Sequence, residues 1–133
     1  MFITLFSQET EFKPDSELQA LGLGAIINGD GIGDILVAKQ SGQIIGMVNL
    51  LYTVSTALGS RVAILEDMVI APQHRGLGVG SALLKHAIDF AKQKGCKRIT
   101  LLTDNDNESA HRFYEQHGFT ESSIMAYRLF LDV

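Results

Sequence analysis

The sequence predicts one α+β domain built on a mixed β-sheet, and three observations predict it. Strand-like stretches at 34–39, 44–54 and 61–70 follow one another across short turns, as in an antiparallel meander. The last of them runs into a strongly helical stretch, 79–94, and then into another strand-like one, 98–103. Strand, helix and strand thus form a βαβ unit with parallel ends. The chain has 133 residues, 46% hydrophobic and 20% charged, which suits a single domain around one core.

Taken in order, residues 2–6 read as a short first strand, and Pro14, Asp15 and Ser16 as a helix start. Gly22 and Gly24 interrupt the apolar stretch 18–27, so a weak or broken helix is expected there. Gly29-Asp30-Gly31-Ile32-Gly33 is a loop, Ser41-Gly42 a hairpin turn, and 57–60 a second turn. In the long helix Val79, Leu83, Leu84, Ala87, Ile88 and Ala91 recur at helical spacing, while Lys85, His86, Asp89 and Lys92 face elsewhere. Gly95 ends it. A short helix over 109–117 closes at Gly118, and 124–131 reads as a last strand. There is no repeat, linker or low-complexity tract, so 1–133 is taken as one domain.

Composition narrows the function. A net charge of −4 argues against a nucleic-acid partner. No apolar run approaches the ~20 residues that span a bilayer, and the first residues lack a basic region followed by a cleavage site. Cys96 is alone, so no intramolecular disulfide forms, and a small residue at a helix-to-strand turn is its simplest role. A cytoplasmic protein without a membrane partner is expected.

The most informative stretch is Gln73-His74-Arg75-Gly76-Leu77-Gly78-Val79-Gly80-Ser81, between the third strand and the long helix. Three glycines there cost helix stability. They leave backbone N–H groups bare at the positive end of a helix, where an anion such as a pyrophosphate binds. A P-loop would need Gly-Lys-Ser/Thr, and here Ser81 follows Gly80 without lysine. A dinucleotide fingerprint would need a different glycine spacing in the first βα turn.

The stretch Arg75-Gly76-Leu77-Gly78-Val79-Gly80 resembles the R/Q-x-x-G-x-G/A signature of the GNAT N-acetyltransferases. Met68-Val69-Ile70-Ala71-Pro72 is similar to the strand end and proline that precede it in that family. Asn107-x-x-Ala110-x-x-Phe113-Tyr114-Glu115-x-x-Gly118-Phe119 resembles the family's second block. The resemblance covers 35–131 and departs in the N-terminal region, where two helices are usual and this chain has room for about one. It implies the acyl-CoA N-acyltransferase fold: a mixed, mostly antiparallel sheet with a splayed central parallel pair, flanked by helices. It also implies acetyl transfer from acetyl-CoA, as cosubstrate, to a primary amine by direct attack in a ternary complex, without metal.

The resemblance assigns the pyrophosphate to backbone N–H groups of Gly76, Leu77, Gly78, Val79, Gly80 and Ser81, helped by the charge of Arg75. Met68, Val69 and Ile70 would act through backbone, pairing with the pantetheine amides and supplying an oxyanion donor near Met68 or Val69. Tyr114 would be the acid for the leaving thiolate, although spacing alone reads it as a core aromatic. Asn107 reads equally as a pantetheine contact or as the cap of the helix that follows.

Glu66, on the strand feeding the glycine turn, is the candidate base, direct or through water. Strand alternation expects the adjacent Asp67 on the opposite face, and His74 and His86 are weaker alternatives. Asp104, Asp106, Glu108 and Glu115 imitate a calcium loop but lack its glycine, and the four histidines lack zinc-ligand spacing. Ile64-Leu65-Glu66-Asp67-Met68-Val69 looks somewhat like the glucosamine-phosphate N-acetyltransferases. An amino sugar is therefore one acceptor; polyamines, drug-like amines and peptide N-termini stay open. Homodimer formation stays open. The alternatives are a non-catalytic acyl-CoA-binding regulatory module and an enzyme using a longer acyl-CoA.

Overall fold

The computed structural model describes residues 16–132. In chain order these form helix α1 (Ser16–Asn28), strands β1 (Gly33–Gln40), β2 (Gln43–Ser55) and β3 (Ser60–Ile70), and a 3-10 turn (Pro72–His74). Helix α2 (Val79–Gln93), strand β4 (Ile99–Leu101) and helix α3 (Glu108–Gln116) follow. The strand expected over 2–6 and the Pro14-Asp15 helix start lie outside the described residues.

The sheet runs β1-β2-β3-β4. The first two pairings are antiparallel and β3 pairs with β4 in parallel, which makes the expected α+β fold with a mixed sheet. Ser41 and Gly42, with φ of 51° and 79°, form the β1–β2 turn, whose hand matches strand twist. Helix α2 lays its apolar stripe across one sheet face. Leu83, Leu84, Ala87 and Ala91 pack on Val48 and Leu50 of β2 and on Ala63 and Leu65 of β3.

Two features of this framework position the site. First, β3 and β4 pair only at Ala63↔Ile99, Ile64↔Thr100 and Leu65↔Leu101. Among the described residues β3 continues beyond Leu65 to Ile70 beside β2 alone, and there its other backbone edge is open where the parallel pair ends. Second, β3 carries a bulge. Val48 pairs with Met68 and Leu50 with Leu65, so the single residue Asn49 faces the two residues Glu66 and Asp67.

The structure changes three expectations. The 18–27 stretch is one continuous helix despite Gly22 and Gly24. It buries none of its residues, and a side chain at Gly22 would project into open space. Strand β4 is shorter than 98–103, because it lasts only while β3 lies alongside. Residues 124–131 form no strand: 120–132 have no regular structure and are exposed throughout. Their β-propensity is high, but a strand needs a ladder partner, and this one has none among the described residues.

Candidate active site

The glycine turn is built as its sequence demands. Gly76 and Gly78 adopt φ of 76° and 82°, a left-handed conformation that disfavours any side chain. A Cβ at either position would have no atom within 4 Å, so the space above the turn is open. Gly78 is the N-cap of α2, and its carbonyl accepts from Ala82 N–H at 3.1 Å. The N–H groups of Val79, Gly80 and Ser81 therefore have no intrahelical partner and sit at the positive end of a 15-residue helix. No side chain among the described residues caps this end. Bare N–H groups beneath open space fit a pyrophosphate.

The neighbouring groups hold the turn in place. Arg75 Nε donates to the Ile70 carbonyl at 3.2 Å, tying the guanidinium to the end of β3. His117 Nδ1 donates to the Phe113 carbonyl at 2.8 Å, which leaves Nε2 to accept from the Ser81 hydroxyl at 2.7 Å. This link, which sequence reasoning missed, joins the end of α3 to the first turn of α2. It leaves the backbone of Ser81, not its hydroxyl, for a ligand.

Gly80 is where three elements meet. A Cβ there would lie 3.6 Å from Ile70 and from Phe113, and 3.8 Å from Met68. The turn, the open end of β3 and the Phe113 turn of α3 thus converge at Gly80. Leu77 is exposed beside them and Val69 is buried in the sheet. Tyr114 packs edge-on against Phe113 and Phe119, with ring centroids 5.3 and 5.7 Å away. Burial raises its hydroxyl pKa above the ordinary value of 10.0, so the hydroxyl is protonated at neutral pH. Asn107 is the helix cap: its Oδ1 accepts from Ala110 N–H at 3.2 Å and from the Ser109 hydroxyl at 3.1 Å.

The bulge corrects the facing expected of Glu66 and Asp67. Leu65 and Met68 both pack on the α2 side, which strict alternation forbids for residues three apart. The extra residue sends both carboxylates to the other face. Asp67 Oδ2 there accepts from Asn49 Nδ2 at 2.9 Å. The Glu66 pKa is raised by burial and then by the charge of Asp67. Asp67 is raised by burial, and the Asn49 hydrogen bond partly offsets this. Asn49 is 1% exposed, and its Oδ1 has no hydrogen-bond partner among the described residues. Its one signal in the sequence is a polar residue in the middle of an apolar run, Met47-Val48-Asn49-Leu50-Leu51.

Asn49→Asp replaces the donated N–H with a second carboxylate against Asp67. It should destabilise the fold by about 2 kcal/mol at pH 8 and recover most of that near pH 4, where the pair shares a proton. Thermal melts at the two pH values check this; an equal loss at both would remove the charge explanation.

Among the described residues no cluster of three or more His, Cys, Asp or Glu could hold a metal ion, and no helix is long and apolar enough to cross a membrane. Comparison with known proteins adds to this geometry. The profile of the acetyltransferase (GNAT) family matches residues 3–119. The N-acetyltransferase YhfO of Bacillus subtilis, itself uncharacterised, is 37% identical over 123 residues, which are 90% of this chain and 81% of that protein. A glucosamine 6-phosphate N-acetyltransferase of Trypanosoma brucei brucei is 29% identical over 119 residues, 88% of this chain and 79% of that one. Among solved structures, a transcriptional regulator from Bacillus halodurans C-125 superposes with a TM-score of 0.75 at 29% identity, over 97% of this chain and 90% of that one.

Proposed function

This chain belongs to the GNAT acetyltransferase family, and from that premise we propose that it transfers the acetyl group of acetyl-CoA to a primary amine by direct attack in a ternary complex. Acetyl-CoA-dependent transfer is the activity typical of the family. The observation that carries the reading here is the convergence at Gly80 of an uncapped helix N-terminus, the open backbone edge of β3 and the α3 helix of Tyr114.

In this reading the N–H groups of Val79, Gly80 and Ser81, with those of the Gly76–Gly78 turn, hold the pyrophosphate, and Arg75 adds charge nearby. The open edge of Met68, Val69 and Ile70 takes the pantetheine amides as an added strand. A backbone N–H near Met68 or Val69 steadies the carbonyl oxygen as negative charge grows on it. Asn107, its Oδ1 engaged by the helix, keeps only its amide N–H groups for the same arm.

Glu66 takes a proton from the acceptor ammonium, the main form at pH 7 both of an alkyl amine, with an ordinary pKa of about 10.4, and of a peptide N-terminus, at about 7.7–8.0. The amine nitrogen forms the C–N bond and releases its second proton to solvent as the C–S bond breaks. Tyr114 gives its proton to the departing sulfur and regains one from solvent. The Trypanosoma relative makes an amino sugar phosphate one acceptor to test, alongside polyamines and peptide N-termini.

A screen of these amines for free thiol released from acetyl-CoA, with acetylated product identified by mass, tests the function. CoA binding without turnover of any amine would favour a regulatory acyl-CoA-binding module, and release only from longer thioesters an enzyme of different acyl choice. Tyr114→Phe should slow single-turnover transfer by about 10-fold and leave CoA affinity unchanged. The effect is modest because a thiolate of pKa near 8.5 leaves fairly well unaided. A normal rate with a lowered melting temperature would make Tyr114 a packing residue only.

A further inference from the structure

A polar row crosses the sheet at the end away from the glycine turn. Asp34 pairs with Leu50, Tyr52 with Ala63 and Arg61 with Val54. Leu50 and Ala63 belong to the core beneath α2, so alternation puts Asp34, Tyr52 and Arg61 side by side on that same face. Helix α2 ends at Gln93 and leaves this row uncovered. The row is the floor of a cleft of about 560 Å³, whose lining is completed by Ile26 and Ile27 of α1, Asp30 in the loop 29–33 and Lys94 after α2. A cleft of this size suits a small molecule.

The charges in this cleft are not paired with one another. Tyr52 Oη donates to Asp34 Oδ2 at 2.7 Å. Burial, and then this hydrogen bond, hold the Tyr52 hydroxyl well above its ordinary pKa of 10.0, so it remains the donor. Asp34 Oδ1 accepts no hydrogen bond among the described residues. The Arg61 guanidinium lies over the Tyr52 ring, 5.0 Å from its centroid, and the Lys94 ammonium lies 5.3 Å from that of Phe90. Among the described residues neither cation has a carboxylate within 4.0 Å. Arg61 and Lys94 thus share one cleft with Asp30 and Asp34 and form no ion pair with them. A bare anion entering it meets the carboxylates, and a bare cation meets the guanidinium. A ligand carrying both charges can set each against its opposite.

We propose that this cleft binds a small zwitterion, a free aliphatic amino acid, with its carboxylate held by Arg61 and Lys94 and its ammonium by Asp34 and Asp30. The planar guanidinium suits a carboxylate, and Ile26 and Ile27 offer apolar surface to the aliphatic side chain. The cleft and the glycine turn lie at opposite ends of β3, so this binding does not depend on acetyl transfer.

Titration of the isotope-labelled full chain with L-leucine, followed by amide NMR shifts, tests the site. Saturable shifts at Gly31, Gly33 and Tyr52 are expected at millimolar concentration or below. Leucinamide lacks the carboxylate and isocaproate lacks the ammonium, so each should bind about 10-fold more weakly or worse. Arg61→Gln and Asp34→Asn should each weaken leucine binding by about the same factor, that is 10-fold. Both should keep the wild-type melting curve, since Arg61 is exposed and an asparagine oxygen still accepts from Tyr52. If either variant fails to fold, Lys94→Gln, at an exposed position, tests the carboxylate end instead. Absence of saturable shifts, shifts confined to residues outside the cleft, equal binding of either analogue, or folded variants that bind leucine as the wild type does would each overturn the assignment.

Discussion

Gly78→Asp should weaken CoA binding about 10³-fold, or roughly 4 kcal/mol, without unfolding the protein. Gly78 has a φ of 82°, and a side chain there costs on the order of 1 kcal/mol in backbone strain. A Cβ at this position meets no atom within 4 Å. The aspartate therefore occupies the open space into which the N–H groups of Val79, Gly80 and Ser81 point, and its charge opposes the pyrophosphate. At ~5 Å and an effective dielectric of about 20, that repulsion is about 3 kcal/mol. Gly78→Ala carries the strain without the charge and should lose much less affinity. Pantetheine, which has no pyrophosphate, should bind the aspartate variant nearly as well as the wild type. Calorimetric titration of folded variants with CoA and pantetheine decides the matter. Equal affinity of Gly78→Asp and wild type for CoA would move the pyrophosphate elsewhere.

The glycine turn was legible in the sequence because its requirements are local. A left-handed backbone followed by an apolar helical stripe needs glycine at the turn and leucines and alanines at 83, 84, 87 and 91, and all of these stand in a contiguous stretch. The antiparallel meander was legible for the same reason. What stayed hidden depends on register or on contacts distant in the chain. The Glu66–Asp67 bulge is a mismatch between two strands, visible only when Val48 is set against Met68 and Leu50 against Leu65. The Ser81–His117 bond spans 36 residues, and neither residue type announces the other. Residues 124–131 were misread because propensity reports what a segment can form, while a strand exists only where a neighbour supplies the ladder.

The bulge also sharpens the last expectation, on which of the two carboxylates receives the proton. Glu66→Gln should reduce the rate at neutral pH by about 10²-fold or more, with a smaller loss at high pH, where the acceptor deprotonates itself. Asp67→Asn should act differently. The charge of Asp67 helps to hold the Glu66 pKa above 4.5. Removing that charge should move the acidic limb of the pH–rate profile to lower pH while the plateau rate stays within a few-fold.

Both carboxylates have raised pKa values, so the folded state holds more protons than the unfolded state above the ordinary carboxylate range. Their ionisation therefore costs stability as pH rises through that window, and the cost persists at neutral pH. Asp67→Asn should accordingly raise the melting temperature at pH 7 and change it little at pH 3, where both groups are already protonated. Profiles and melts of the two single variants check these outcomes together. If Glu66→Gln leaves the profile untouched while Asp67→Asn abolishes turnover, the proton goes to Asp67, and its hydrogen bond from Asn49 orients the base itself.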